Sequence, residues 1–165
     1  MSVLPEAEKQ TSLGTKIGVI SDTHGLLRGE AIEFLETCDI IVHAGDMGKP
    51  EILEKMRSIA PTFAVRGNVD RAPWALDLPD KEFVKIDKKC FCLIHILSDL
   101  DLEPSGGFDA VISGHSHLPK VYKKDGVLYF NPGSAGPKRF RLPVSIGAIT
   151  IRDARLESEI ITLIP

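Results

Sequence analysis

Cysteine is scarce in this chain and badly spaced for structural use. There are three, Cys38, Cys90 and Cys92, with no pair at the C-x-x-C separation of a zinc or redox motif. An odd, dispersed set excludes a full disulfide framework and reads as free buried thiols of a reducing compartment. Long hydrophobic runs are also missing. No apolar stretch approaches the ~20 residues of a membrane span, and the first residues lack the basic start and hydrophobic centre of a secretory signal. A cytoplasmic protein is therefore expected, with no membrane partner. There is no basic stripe either: the net charge is −3, with Lys and Arg dispersed among Asp and Glu. That balance gives no nucleic-acid signal. Without internal repeats or low-complexity segments, 165 residues fit one domain large enough to bury a core.

Residues 1–15 are polar and carry Pro5, Glu6, Glu8, Lys9 and Gly14, which reads as a flexible tail before a domain over 16–165. Residues 16–21 give a short apolar strand, and 29–37 a helix with Ala31, Ile32, Phe34 and Leu35 on one face. A second strand follows at 39–43, a helix opened by Pro50 at 50–60, and a third strand at 62–66. Strands alternating with helices in this way make a parallel sheet with crossover helices. Beyond Asn68 the rhythm changes. Residues 71–80 read as a loop, and 82–86 with 90–95 as a hairpin around Asp87-Lys88-Lys89. Residues 98–107 are acidic and Gly-rich with no helical period. Strands at 109–113, 120–124 and 127–130 follow, the last two joined by Asp125-Gly126, and 145–152 and 155–163 close the chain. A parallel half followed by an antiparallel half, each with a face to cover, implies an α/β fold of two packed sheets.

What the chain does have is ligand chemistry at the ends of its strands. Asp22-x-His24 stands where the strand at 17–20 runs out, and residues i and i+2 of an extended segment point to the same side, so both can converge on one ion. The alternative reading is a plain turn capped by Asp22. Four later segments repeat the arrangement: Gly45-Asp46, Gly67-Asn68, His95 and Gly114-His115-Ser116-His117, each directly or closely following an apolar run. Open α/β sheets place their sites at such strand ends. His43 is the exception, lying inside a strand, and reads as a core histidine with a backbone partner. The candidate metal ligands are then Asp22, His24, Asp46, Asn68, His95, His115 and His117. Carboxylate, amide and imidazole without thiolate suit a borderline divalent transition ion better than calcium or magnesium. Seven ligands exceed the needs of one catalytic ion, whereas two ions sharing Asp46 use them all.

The ordered series Asp22-x-His24, Gly45-Asp46, Gly67-Asn68-x-Asp70, His95 and Gly114-His115-x-His117 resembles the calcineurin-like metallophosphoesterase superfamily, in particular its small phosphodiesterase branch, over essentially residues 16–163. Asn131-Pro132-Gly133-Ser134 and Arg139 also resemble that branch. The resemblance implies a four-layer α/β/β/α sandwich of two mixed β-sheets with a binuclear metal site at the strand ends. It assigns Asp22, His24, Asp46 and His117 to a first ion and Asp46, Asn68, His95 and His115 to a second. The ions implied are manganese foremost, with nickel, iron, cobalt or zinc as alternatives. The activity implied is hydrolysis of a small phosphodiester by a metal-bridging hydroxide, with Asp46, Asn68 and His95 catalytic and Asn68, Ser134 and Arg139 meeting the substrate. A homodimer or higher homo-oligomer is compatible with such a domain. The same fold also serves as a non-catalytic interaction scaffold in the retromer cargo-recognition subunit, whose metal ligands are altered.

Three departures from the family pattern stand out. His95-Ile96-Leu97 replaces the usual His-Gly-His. The stretch 98–107 is shorter and less helical than the branch's usual insert, which leaves the rim of the pocket more open. Val69 occupies the position where larger phosphatases of the superfamily carry an acid histidine; the small phosphodiesterases also lack that histidine, so Val69 is in line with the branch. Asp70 either orients a ligand or caps the next turn.

Overall fold

The computed structural model describes residues 14–165 and, before them, the placement of one short strand, β1 (Glu6–Ala7). Most of the tail expected over 1–15 thus lies outside the described residues. β2 (Thr15–Ile20), α1 (Gly29–Leu35), β3 (Ile40–His43), α2 (Pro50–Ile59) and β4 (Thr62–Ala64) follow in the expected alternation. α2 starts on Pro50, with Glu51 in its first turn and Arg57 in its last, both complementing the helix dipole. It stops because Ala60 precedes Pro61 and is held extended. α1 has no side-chain cap and depends on burying Ala31 and Leu35.

The remaining strands are β5 (Lys81–Ile86), β6 (Lys89–Ile94), β7 (Ala110–Ile112), β8 (Lys120–Lys124), β9 (Val127–Asn131), β10 (Val144–Arg152) and β11 (Arg155–Ile164). They do not sort by chain half. β10 pairs antiparallel with β2, and β11 with β10, so the closing hairpin joins the parallel strands in a five-stranded sheet ordered β11-β10-β2-β3-β4. The other sheet is ordered β1-β5-β6-β7-β9-β8 and is also mixed, with β6, β7 and β9 parallel.

Strand alternation decides what each sheet buries. Ile17, Val19, Ile40 and Val42 of the first sheet meet Phe91, Leu93, Ile112 and Phe130 of the second in the central core. Their neighbours Ile20 and Ile41 pack outward on Leu35, Ile52, Leu53 and Met56. Gly18 sets how closely α1 lies, since an added Cβ would stand 2.8 Å from Leu35 Cδ2 and 2.9 Å from Cys38 Sγ. The outer face of the six-stranded sheet is covered differently from the helical layer expected there. Cys92, Ile94, Val111 and Val127 pack with Phe83 and Tyr129 of the same sheet and with Leu97, Leu100 and Phe108 of the segment over it, which has a 3-10 turn at Leu97–Asp99 and, among the described residues, no α-helix. Pro104 and Gly106-Gly107 in that segment disfavour a longer helix.

His43 closes β3 and is fully buried on the helix side, in line with Ile41. Its Nδ1 accepts the Gly45 N–H at 3.1 Å, which leaves the proton on Nε2 to be donated to Thr23 Oγ1 at 3.0 Å. The Thr23 hydroxyl donates onward to the Met47 carbonyl at 2.9 Å. Burial pushes the His43 pKa down to about 3. His43→Gln is expected to cost about 1–3 kcal/mol of stability by disrupting this pair of bonds, with metal stoichiometry intact. Between about pH 3 and 6.5 the unfolded chain takes up a proton that native His43 refuses. The wild type's advantage over the variant is therefore full above pH 6.5 and narrows as the pH falls. Denaturant titrations of both proteins from pH 7 to 4, with metal analysis, check this; loss of a bound ion in the variant would move His43 into the metal site.

Candidate metal centre

Each ligand-type residue leaves the end of a strand, and backbone pairing continues past the strand to hold the turn that carries it. The Asp22 N–H donates to the Gly45 carbonyl at 3.0 Å, His24 to Asp46 at 3.0 Å, and Gly114 to His95 at 3.0 Å. His95 follows β6 in register with Phe91 and Leu93, so its ring points between the sheets rather than outward. Asp22, His24, Asp46, His115 and His117 all have left-handed backbones, φ from 45° to 71°. That conformation is uncommon outside glycine and is held here by the surrounding pairing.

The side chains converge in two sets. Asp22, His24 and His117 bring ligand atoms within 4.8 Å of one another, and Asp46, His95 and His115 do the same. Asn68 joins the second set through Oδ1, 3.0 Å from His95 Nε2 and 3.1 Å from His115 Nδ1. Asp46 stands between the sets, its Oδ2 lying 3.2 Å from His95 Nε2 and 3.8 Å from His24 Nε2. The structure thus brings together all seven residues singled out from strand-end positions.

The donor set fits divalent cations. Asp22 Oδ2 accepts hydrogen bonds from Ser21 Oγ at 2.7 Å and the His115 N–H at 3.0 Å. Its Oδ1 is buried without a hydrogen-bond partner among the described residues, facing His117 Nε2 at 3.3 Å and His24 Nε2 at 3.8 Å. His95 Nδ1 bonds the Ala44 carbonyl at 2.7 Å, which turns the Nε2 lone pair inward. A buried carboxylate oxygen among imidazole nitrogens is costly unless a cation balances it. Burial raises the Asp46 pKa, but His95 and the Val69 N–H outweigh it and hold the carboxyl below its usual range. The same burial depresses His95, yet Asp46 and Asp22 push it above the ordinary histidine value. His117 stays below that value through burial, then the Arg139 and His24 charges, against the pull of Asp22.

Several residues act behind the ligands. Asp70 is 2% exposed and accepts the N–H groups of Met47, Gly48 and Gly67, each at 3.0 Å, so it staples the Asp46 turn to the Asn68 turn. Of its two readings, ligand orientation through the backbone is the one the geometry supports. Gly67 and Gly114 are needed for close approach, because a Cβ at either would collide with Asp46 or with Ser21 Oγ. Asn131 donates to the Gly114 carbonyl at 2.9 Å and to Ser116 Oγ at 3.1 Å, bracing the His115 turn. Ser134, expected to meet the substrate, lies beneath the Asp22 turn. It is buried, and its hydroxyl donates to the Asp22 carbonyl at 2.9 Å, so it positions the Asp22 turn. Arg139 lies on an exposed loop close enough for its charge to act on His117. The bracing roles of Ser134 and Asn131 carried no local signal, since their partners are distant in the chain.

Comparison with known proteins agrees with this geometry. The model of the calcineurin-like phosphoesterase superfamily domain matches residues 15–154. A probable metallophosphoesterase of Methanothermobacter thermautotrophicus is 34% identical over 160 residues, 88% of this chain and 91% of that protein. An archaeal phosphodiesterase of known structure superposes with a TM-score of 0.74 at 28% identity, covering 89% of this chain and all (100%) of the other. Vacuolar protein sorting 29 of Cryptosporidium parvum superposes with a TM-score of 0.71 over 93% of this chain and 100% of its own, but at 20% identity shares the fold alone. With strand-end ligands, two mixed sheets and a family match spanning most of its length, the chain belongs to the calcineurin-like phosphoesterase superfamily.

Proposed function

We propose that residues 16–165 form one catalytic domain that hydrolyses a small phosphodiester with the help of two divalent ions, manganese foremost. The observation that carries the reading is the partnerless buried Asp22 Oδ1 beside an Asp46 carboxylate shared between two imidazole sets. Asp22, His24, Asp46 and His117 would hold one ion and Asp46, Asn68, His95 and His115 the other. Bound there, such ions supply a water acid enough to ionise near neutrality and positive charge for the phosphoryl oxygens.

The chain's own groups have defined tasks. Asn68 turns its Oδ1 to the two imidazoles, leaving its amide N–H groups to donate to a phosphoryl oxygen. Arg139 adds an exposed positive charge from the His117 side. Asp70, Asn131 and Ser134 hold the ligand turns in place, which matters because a misplacement of about 1 Å can cost roughly 100-fold in rate. The thiols Cys38 and Cys92 are free, and burial pushes both pKa values up to about 11, which leaves them poor nucleophiles with no part in the reaction. The second reading, an interaction scaffold, rests on the likeness to vacuolar protein sorting 29. Manganese titration with turnover of bis(4-nitrophenyl) phosphate separates the two: bound ions without turnover of any phosphoester would favour the scaffold.

Asp46→Asn is expected to lower both metal content and kcat/KM by about 100-fold or more, beyond the effect of His24→Ala or His115→Ala. Near wild-type turnover at saturating manganese would overturn the shared-ligand assignment.

The leaving group offers a second test. Val69 cannot donate a proton, and general acid assistance at that step is worth about 10²–10⁴ in rate. Asp70 has both oxygens engaged by backbone N–H groups and cannot take over the task. Hydrolysis should therefore depend steeply on leaving-group pKa, with aryl diesters cleaved far faster than alkyl ones. A series of substituted aryl phosphodiesters, read as kcat/KM, checks this; a flat dependence with chemistry rate-limiting would identify an acid elsewhere, Arg139 or a bound water being the groups to examine.

A further inference from the structure

Two cavities flank the end of β6, and their walls differ in kind. One, of about 350 Å³, passes Asn68 and His95 and is lined by Arg66, Asp80, Lys81 and Asp99. Its cations are already paired, Arg66 with Asp80 at 2.9 Å and Lys81 with Asp101 at 2.6 Å. The other, of about 320 Å³, opens beside His115 between Leu97, Leu118, Lys120, Tyr122 and Tyr129. The Tyr122 and Tyr129 rings stack with centroids 4.9 Å apart and planes within 3°, and Lys120 Nζ lies 5.1 Å from the Tyr122 centroid. Leu118 is left 49% exposed, directly after the candidate ligand His117.

We propose that the cavity beside His115 is the subsite for an aromatic ester group, so that the substrate is a phosphodiester carrying at least one ring. The proposal rests on the phosphodiesterase reading and names its substrate class. Size permits it, because a cavity of about 150 Å³ already holds benzene. Chemistry favours it, because two leucines and a tyrosine pair offer apolar and π surface, and the Lys120-Tyr122-Tyr129 stack lines the cavity with a cation beside the rings. Position fits as well: His115 lines this cavity and its Nδ1 lies 3.1 Å from Asn68 Oδ1, so a phosphoryl group held at Asn68 would have one ester arm at the cavity mouth. The missing acid at Val69 points the same way on separate grounds, since a phenoxide-type group leaves without protonation more readily than an alkoxide.

The test uses two phosphonates that cannot be hydrolysed, phenylphosphonate and methylphosphonate, titrated calorimetrically into the manganese-loaded protein. Phenylphosphonate is expected to bind about tenfold tighter or better. Leu118→Ala and Tyr122→Ala should bring the ratio of the two affinities towards one, and the Leu118 methyl resonances of the wild type should move with the phenyl compound only. Equal affinities in the wild type, or a ratio that neither substitution changes, would overturn the subsite while leaving the phosphodiesterase reading in place. Failure of both phosphonates to bind would overturn the phosphodiesterase reading and the subsite with it.

Discussion

The site depends on a carboxylate oxygen that the protein buries without a donor. Asp22 Oδ1 faces imidazole nitrogens while Oδ2 of the same side chain is satisfied by Ser21 Oγ and the His115 N–H. A protein designed only to be stable would not leave such an atom, because an unmet buried charge costs several kcal/mol. The division of labour within one carboxylate, one oxygen for the fold and one left for the proposed cation, runs through the site. Asp46 repeats it, with Oδ1 accepting the Val69 N–H and Oδ2 turned to His95 and His24.

Holding this arrangement requires backbone in uncommon conformations, and the fold supplies the constraint. Five candidate ligand residues sit at positive φ, each at a cost of order 1–3 kcal/mol where the side chain is not glycine. The opposing terms are local and numerous: ladder bonds that run past the strand ends, the Asp70 staple, the Asn131 brace and the Ser134 hydroxyl beneath Asp22. Because the turns hang from a core of interlocked strands, strain at the site is balanced by apolar burial some distance away, where Phe91, Phe130 and Ile112 join the two sheets.

The two outer faces of the sandwich serve different ends. On the first sheet, α1 and α2 cover Ile20 and Ile41 closely, with Gly18 admitting α1 against the strand. On the second, an irregular segment with a 3-10 turn stands where a helix was expected, and the cavity beside His115 is walled by tyrosine and leucine.

The order of elements and the identity of the seven candidate ligands were legible in the sequence by itself, for a physical reason: strand and helix periods are local, and in parallel strands chemistry collects where the apolar run stops. Pro50 marked the start of α2, and Pro104 with Gly106-Gly107 marked a stretch unable to form a helix. Only the tertiary structure decided that the closing β10-β11 hairpin lies against β2, that the Ser134 hydroxyl braces Asp22, and that Asp70 binds two turns together. Those outcomes join residues far apart in the chain, as Ser134 joins Asp22, and no periodicity within a window of neighbours encodes which distant backbone a hydroxyl or carboxylate will meet.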